Sequence, residues 1–226
     1  MNKDTLRLAV LFAFLAAACG CMAVVDAVIQ PGYVIKSLIK MSAFLLLPLA
    51  YSLYDRRFSL KEMLKPRKNG LLIAVGVGLA VYVVVVGAYL IFRNFFDFSS
   101  MTNSITSSTR VNRENFLFVA IYISFANSFL EEFFFRGFAF LHLKQAVNKK
   151  WAYIISAGTF ALYHIAMMIG WFNGAVVVLC MIGLFVGGLI FNRFAEWQGN
   201  IYLSWLIHMF ANFATNTIGF IEFLKV

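Results

Sequence analysis

Two adjacent carboxylates, Glu131 and Glu132, lie inside a long apolar run together with Arg136. Ionised side chains are costly in the hydrocarbon core of a bilayer, so those found there usually serve a function. Two later apolar runs contain His164 and His208. A carboxylate with two imidazoles can form a general acid–base site or a zinc site. The chemistry of the chain therefore depends on whether its helices bring these residues together.

The composition indicates a membrane protein. The chain is 62% hydrophobic and only 13% charged, with a mean hydropathy of +0.83, whereas soluble domains are about half apolar and about a quarter charged. The net charge of +9 comes from basic residues that cluster between apolar runs. That placement is typical of topology signals and contacts with anionic lipids, so membrane lipids are the expected partners and nucleic acid is not. The three cysteines lie in apolar runs, which argues against a disulfide framework.

Seven apolar runs are long enough to cross a bilayer, which takes about 20 residues each. They cover residues 6–29, 33–54, 71–92, 115–144, 151–170, 175–194 and 201–220. The predicted fold is an all-α, polytopic membrane helix bundle of about seven transmembrane helices. It forms one membrane domain, with a three-span region over residues 1–114 and a four-span region over residues 115–226. We expect a kink at Pro48, and retention of the first run as a span rather than its cleavage as a signal peptide.

The distribution of Lys and Arg predicts the orientation. Residues 55–70 form the most basic loop, within which a short amphipathic helix is expected over residues 58–64, and residues 99–113 form a polar loop. With the N-terminus inside, twelve basic residues fall on the inner side and six on the outer side, with Lys36 and Lys40 counted as outer. The positive-inside rule then predicts a cytoplasmic N-terminus and an external C-terminus.

Distances along the helices place three polar residues at one depth. Glu131 lies thirteen residues before the inner end of its run, His164 lies thirteen residues after the start of the next, and His208 lies about nine after a Gly-Asn turn. At about 1.5 Å per residue the three lie within about 6 Å of one plane, in the inner half of the bilayer. His142 is about 16 Å from Glu131 along the helix axis, so we expect it at the inner membrane surface, outside the site.

Spacing within the helices suggests different roles for the two carboxylates. Glu132 and Arg136 are four residues apart and can form an ion pair on one helix face. Glu131 is rotated by about 100° and can face elsewhere, which makes it the candidate working carboxylate. Asn212 shares a face with His208 at the same four-residue spacing, and Asn127 stands four residues before Glu131.

These residue types permit two chemistries. A desolvated glutamate can act as a general base on water, a histidine can orient that water, and a second histidine with an asparagine can stabilise an oxyanion. Alternatively, Glu131, His164 and His208 could hold zinc. The His-Glu-x-x-His helix that is typical of zinc proteases does not occur in the sequence.

Three short motifs occur in order on separate spans and form a recognisable set. They are Glu131-Glu132-x-x-x-Arg136, Phe160-x-x-x-His164 and His208-x-x-x-Asn212. This set resembles the CAAX prenyl protease and bacteriocin-processing family, also called CPBP or Abi, of intramembrane proteases. The resemblance covers the C-terminal half, about residues 115–220, which would be the catalytic core, while the first three spans match only in being hydrophobic.

The resemblance implies a role for each motif residue. Glu131 would activate water with help from His164, and His208 and Asn212 would form the oxyanion site. The second glutamate and the arginine of the first motif would support the architecture. The family has been described both as metal-dependent and as metal-free glutamate proteases. We favour the metal-free form, with no cofactor, and keep zinc as the alternative.

The expected function is hydrolysis of a peptide bond in a membrane-associated peptide or protein near the cytoplasmic face. Family substrates include prenylated CAAX proteins, and bacterial members are associated with bacteriocin maturation and self-immunity. The compact chain suggests a bacterial cell membrane. One alternative is a non-catalytic scaffold or immunity factor that binds a partner. A proton-coupled transporter fits less well, because no inverted repeat is visible. The oligomeric state stays open.

Overall fold

The computed structural model describes residues 3–55, 59–67, 69–95, 101, 103, 106–107, 110–169 and 174–223. Every regular element within these residues is a helix. Six helices are long and apolar enough to cross a membrane. They are α1 (Thr5–Ile29), α2 (Tyr33–Tyr54), α4 (Leu71–Phe92), α5 (Phe116–Ala146), α6 (Lys149–Met168) and α7 (Gly174–Gln198). The chain is therefore a multi-pass membrane protein, as its composition predicts.

The remaining described helices are the short α3 (Leu60–Met63) and the 22-residue α8 (Tyr202–Phe223). The seventh predicted run is α8, which is not among the six most apolar helices. Several of its polar residues, including His208, Asn216 and Glu222, are buried, and the helix packs most extensively against α4. The prediction of an all-α bundle with about seven spanning helices is confirmed.

Several spanning helices contain π-helical segments, which hydropathy does not predict. The segment Ser42–Leu46 ends just before Pro48, where a kink was expected. Proline lacks a backbone N–H, so the preceding turn loses a donor and can adopt a wider hydrogen-bond pattern. In α5, Ile123–Asn127 and Glu132–Phe140 are π-helical, and every residue of the second segment is buried. Single π turns are often found at functional sites.

The core between α2, α5 and α6 is built from aromatic rings. Phe133, Phe134 and Phe135 are all buried. Phe134 stacks on Phe44 of α2, with ring centroids 4.3 Å apart, and Phe135 meets Phe160 of α6 edge to face at 5.3 Å. The aromatic run of α5 thus fixes this helix against its neighbours and orients the polar residues beside it.

The described part of the basic loop docks against the turn between α7 and α8. The expected helix over residues 58–64 is the shorter α3, whose N-terminal Ser59 side chain accepts a hydrogen bond from the Glu62 amide at 3.3 Å. The carbonyl of Leu64 accepts from the Tyr202 hydroxyl at 3.0 Å, and that of Lys65 accepts from the Asn200 amide at 3.0 Å. Residues 56–58, residue 68 and much of the predicted polar loop 99–113 lie outside the described residues.

Two lysines that the topology prediction counts as outer are located inside the bundle instead. Lys36 forms an ion pair with Asp26 of α1 at 2.5 Å. Lys40 is buried and forms an ion pair with Glu131 of α5. Both side chains are held by carboxylates of the helix bundle, so they are weaker topology signals than the count of basic residues assumed. The cytoplasmic position of the N-terminus stays a prediction.

Candidate active site

The two carboxylate oxygens of Glu131 have different surroundings. Oε1 accepts hydrogen bonds from Lys40 Nζ and from Asn127 Nδ2, the latter at 3.1 Å. Oε2 lies 3.6 Å from Nε2 of His208 and 3.9 Å from Nε2 of His164. Helices α5, α6 and α8 thus bring together the three residues for which the sequence predicts a common depth. All three are buried, with at most 8% of each residue exposed.

Both histidines are oriented through their other ring nitrogen. His208 Nδ1 lies 2.9 Å from Glu132 Oε1, and His164 Nδ1 lies 2.7 Å from the Phe160 carbonyl oxygen. Carboxylate and carbonyl oxygens only accept hydrogen bonds, so we assign the proton to Nδ1 in both rings. In a neutral imidazole Nε2 then carries a lone pair. The lone pairs on Nε2 of His164 and His208 therefore both lie near Oε2 of Glu131.

Glu132 contacts a histidine as well as an arginine. Its Oε1 is 3.1 Å from Arg136 Nη1, which is the expected pair at four-residue spacing, and the same oxygen accepts from His208. The predicted division of the carboxylates onto separate faces is incomplete, because the His208 ring lies between Glu132 and Glu131. No sequence pattern indicates this contact, since it joins residues 76 positions apart.

Arg136 is fully buried and lies among aromatic rings. Its guanidinium carbon is 4.2 Å from the ring centroid of Phe160 and 4.9 Å from that of Phe191. The Phe191 ring also stacks on His208, with centroids 4.9 Å apart and an interplanar angle of 16°. The arginine thus neutralises Glu132 and packs against the same rings that hold the imidazole.

Lys40 is the residue of this cluster that the sequence interpretation missed. Its ammonium group donates to Asn127 Oδ1 at 2.5 Å as well as to Glu131. It also lies 5.4 Å from the ring centroid of Phe44 and 5.1 Å from that of Tyr163. A lysine in the interior of an apolar run was the available signal, since such residues are rare and usually paired.

Asn212 lies one turn beyond His208 on α8, and its amide contacts the backbone of α5. Nδ2 donates to the Ile123 carbonyl oxygen at 3.0 Å, which uses one of the two amide N–H donors. That carbonyl lies in a π-helical segment. The α8 side chain that faces the Glu131 carboxylate is that of His208.

His142 lies apart from this cluster, but it is not on the surface. It is only 8% exposed. With Arg7, Tyr51 and Asp55 it lines a cavity of about 140 Å³. The expectation of a surface histidine was wrong, because the ends of α1 and α2 cover it. Its place outside the Glu131 site agrees with the depth prediction.

Zinc does not fit this arrangement, although the donor types of Glu131, His164 and His208 would suit the metal. The Lys40 ammonium is already ion-paired with the Glu131 carboxylate, and it would repel a second cation at that group. Within the described residues, no group of three or more His, Cys, Asp or Glu has the arrangement of a metal site.

Comparison with known proteins supports the resemblance. Residues 113–214, a little under half of the chain, match the model of the family described as type II CAAX prenyl endopeptidase Rce1-like. This range contains all three motifs and excludes Lys40. No curated protein and no solved structure gave a significant match. Residues 113–214 are therefore similar to the Rce1-like family of CAAX prenyl endopeptidases, a family of membrane proteases.

Proposed function

We propose that the chain is an intramembrane endopeptidase in which Glu131 activates water for hydrolysis of a peptide bond. One observation carries this proposal. Oε1 of Glu131 is held by two donors, while Oε2 faces the Nε2 atoms of His164 and His208 at 3.9 Å and 3.6 Å. These separations exceed a direct hydrogen bond of about 2.7–3.2 Å. They suit a water molecule placed beside all three acceptors.

The three acceptors fit the needs of a nucleophilic water. Water donates two hydrogen bonds, and a site made of acceptors draws its hydrogens away from the attacking oxygen. In the proposed step Glu131 takes a proton from the water, and the oxygen adds to the substrate carbonyl carbon. The carbonyl π electrons move to the oxygen and form the oxyanion. Glu131 then gives the proton to the departing amine as the C–N bond breaks.

Donors for the oxyanion come from α8. Asn212 has a second amide N–H beyond the one donated to Ile123. His208 donates through Nε2 only when that nitrogen also carries a proton, while its Nδ1 stays hydrogen-bonded to Glu132 at 2.9 Å. His208 thus accepts from water first. It donates to the oxyanion while it holds the proton that Glu131 has taken from the water, and it returns that proton through Glu131, 3.6 Å away, to the departing amine.

The proposed mechanism uses no metal. The positive charge that a buried carboxylate requires is supplied by Lys40, which is ion-paired with Glu131. The proposed substrate is a membrane-associated peptide or protein cleaved near the cytoplasmic face. It is either a prenylated protein, as the family description suggests, or a bacterial peptide processed for bacteriocin maturation or immunity.

The test compares membrane proteomes of cells that produce the wild type or Glu131→Gln, with labelling of new protein N-termini. We expect a set of N-termini in the wild type that is absent from the variant. The matched control is Glu222→Gln, which changes a buried glutamate of α8 that pairs with Tyr89, away from the site. Identical N-termini from wild type and Glu131→Gln would refute the protease and favour a non-catalytic scaffold.

A further inference from the structure

The buried charged residues at the site form two ion pairs. Glu132 pairs with Arg136 at 3.1 Å, and Glu131 pairs with Lys40. All four residues are at most 5% exposed. An uncompensated charge is strongly destabilising in such surroundings. The first pair lies within α5, whereas the second joins α5 to α2, so the charge balance at Glu131 depends on a helix outside the family match at residues 113–214.

Hydrogen bonds from Lys40 and Asn127 fix the orientation of the Glu131 carboxylate toward the histidines. Lys40 and Asn127 both donate to Oε1 of Glu131, and Lys40 also donates to Asn127 Oδ1. The three groups form a closed triangle of hydrogen bonds. This triangle fixes the rotation of the carboxylate about its last bond, and that rotation decides which oxygen faces His164 and His208.

Lys40 is itself held in place. Its ammonium group lies over the rings of Phe44 and Tyr163, at 5.4 Å and 5.1 Å from their centroids. Phe44 is held in turn by stacking on Phe134 of α5 at 4.3 Å. Cation–π contacts restrain an ammonium group without using its hydrogen-bond donors. The donors therefore remain available to hold Glu131 and Asn127.

We propose that Lys40 is the positioning residue of the active site, which anchors Oε1 of Glu131 and so presents Oε2 to the catalytic water. It provides the local positive charge that a metal ion would provide in a metalloprotease. This proposal rests on the proposed function of Glu131, and it adds an α2 residue to a site whose motifs all lie in α5, α6 and α8.

The test measures cleavage of a substrate found by the Glu131→Gln comparison. Lys40→Met removes the charge and keeps the length of the side chain. We expect kcat to fall about 100-fold with KM nearly unchanged, because misplacement of a catalytic group by about 1 Å costs a factor of that order. Lys40→Ala leaves a space for a short primary alkylamine, and adding one should restore part of kcat.

The matched control is the double variant Asp26→Asn/Lys36→Met. It removes an ion pair between α1 and α2 one turn away from Lys40, without leaving an unpaired charge. We expect its kcat to stay within about twofold of wild type. Alkylamine should not change its rate, nor that of Glu131→Gln.

The outcomes separate this proposal from the proposed function. Activity in Glu131→Gln would overturn both. An inactive Glu131→Gln together with a wild-type kcat in Lys40→Met, or with an amine-insensitive Lys40→Ala, would overturn only the role of Lys40. If Lys40→Met does not fold, the double variant Lys40→Met/Glu131→Gln is measured. Recovery of folding would support mutual neutralisation of Lys40 and Glu131. Continued failure to fold would overturn the role of Lys40.

Discussion

At the scale of single residues, His208 joins the two carboxylates of the first motif. Its Nδ1 is fixed by Glu132 and its Nε2 faces Glu131. An imidazole that is hydrogen-bonded to a carboxylate through one ring nitrogen has a defined tautomer. Glu132 is therefore a positioning residue as well as the ion-pair partner of Arg136. This double role predicts that its effects on stability and on activity can be separated.

The separation uses two variants. In Glu132→Gln, Arg136 is left as an unpaired buried charge, which should lower the free energy of unfolding by about 3–5 kcal/mol. The rate of cleavage should fall by up to about 100-fold, because His208 loses the carboxylate that orients it and misplacement of a catalytic group by about 1 Å costs a factor of that order. In Glu132→Gln/Arg136→Met the stability should recover and the rate should not.

Thermal unfolding in detergent and kcat are the two measurements for these variants. The matched comparison is Glu222→Gln, which also removes a buried glutamate but leaves His208 untouched. Recovery of both stability and rate in the double variant would show that Glu132 serves only to neutralise Arg136.

Metal removal tests the environment of Glu131. Because Lys40 neutralises this carboxylate, we expect full activity after exhaustive chelation and dialysis, with no gain on adding Zn²⁺. The measurement is the rate of cleavage together with the metal content of the purified protein. Loss of activity on chelation that is reversed by Zn²⁺ would contradict the metal-free mechanism.

At the scale of elements, close contact between α6 and α7 positions Arg136. Of the neighbouring glycines Gly183, Gly187 and Gly188 of α7, only Gly188 lies at a tight contact with another helix. A Cβ there would be 3.0 Å from Cα of Ala157 and 3.3 Å from Arg136 Nη2. The Gly188 carbonyl also accepts a hydrogen bond from Arg136 at 3.5 Å. This glycine therefore belongs to the support of the site.

Alanine substitutions at two glycines of α7 should have opposite effects. Gly188→Ala should lower the free energy of unfolding by about 1–3 kcal/mol, because the added methyl group would lie only 3.0 Å from Cα and Cβ of Ala157 in α6. A Cβ at Gly183 would meet no described neighbour within 4 Å, so Gly183→Ala should raise helix stability by up to about 1 kcal/mol. Thermal unfolding in detergent measures both, and equal effects would contradict the close contact.

The sequence predicts these helices well but their internal geometry poorly. Apolar runs mark the spans because lipid requires about 20 apolar residues in a row. The π-helical segment Glu132–Phe140 has no such signal, because it depends on how aromatic side chains of α5 pack against other helices. The contact between Lys40 and Glu131 was not predicted either, because it also depends on how two helices pack. A count of charges by segment assigns a lysine within a span to the nearest loop.

At the scale of the whole molecule, contacts between distant segments place the basic residues on one side. Arg7 of α1 pairs with Asp55 at 3.4 Å, and the Lys65 carbonyl accepts from Asn200. The start of α1, the basic loop and the turn between α7 and α8 are thus at the same end of the bundle. With Lys36 and Lys40 removed from the count, four basic residues remain on the predicted outer side against twelve on the inner side.

This asymmetry favours the basic end inside the cell, since cytoplasmic segments carry the excess of Lys and Arg. The test starts from a variant in which all three cysteines are replaced by serine. A single cysteine is then introduced by Lys61→Cys or by Arg110→Cys, to report the predicted inner and outer sides of the membrane. Lys61 and Arg110 are both exposed. We expect a membrane-impermeant maleimide to label Arg110→Cys in intact cells and Lys61→Cys only after permeabilisation. The reverse pattern would place the N-terminus outside. Because the sequence predicts Glu131 in the half of the bilayer nearer the basic end, that result would also move the proposed cleavage to the external side.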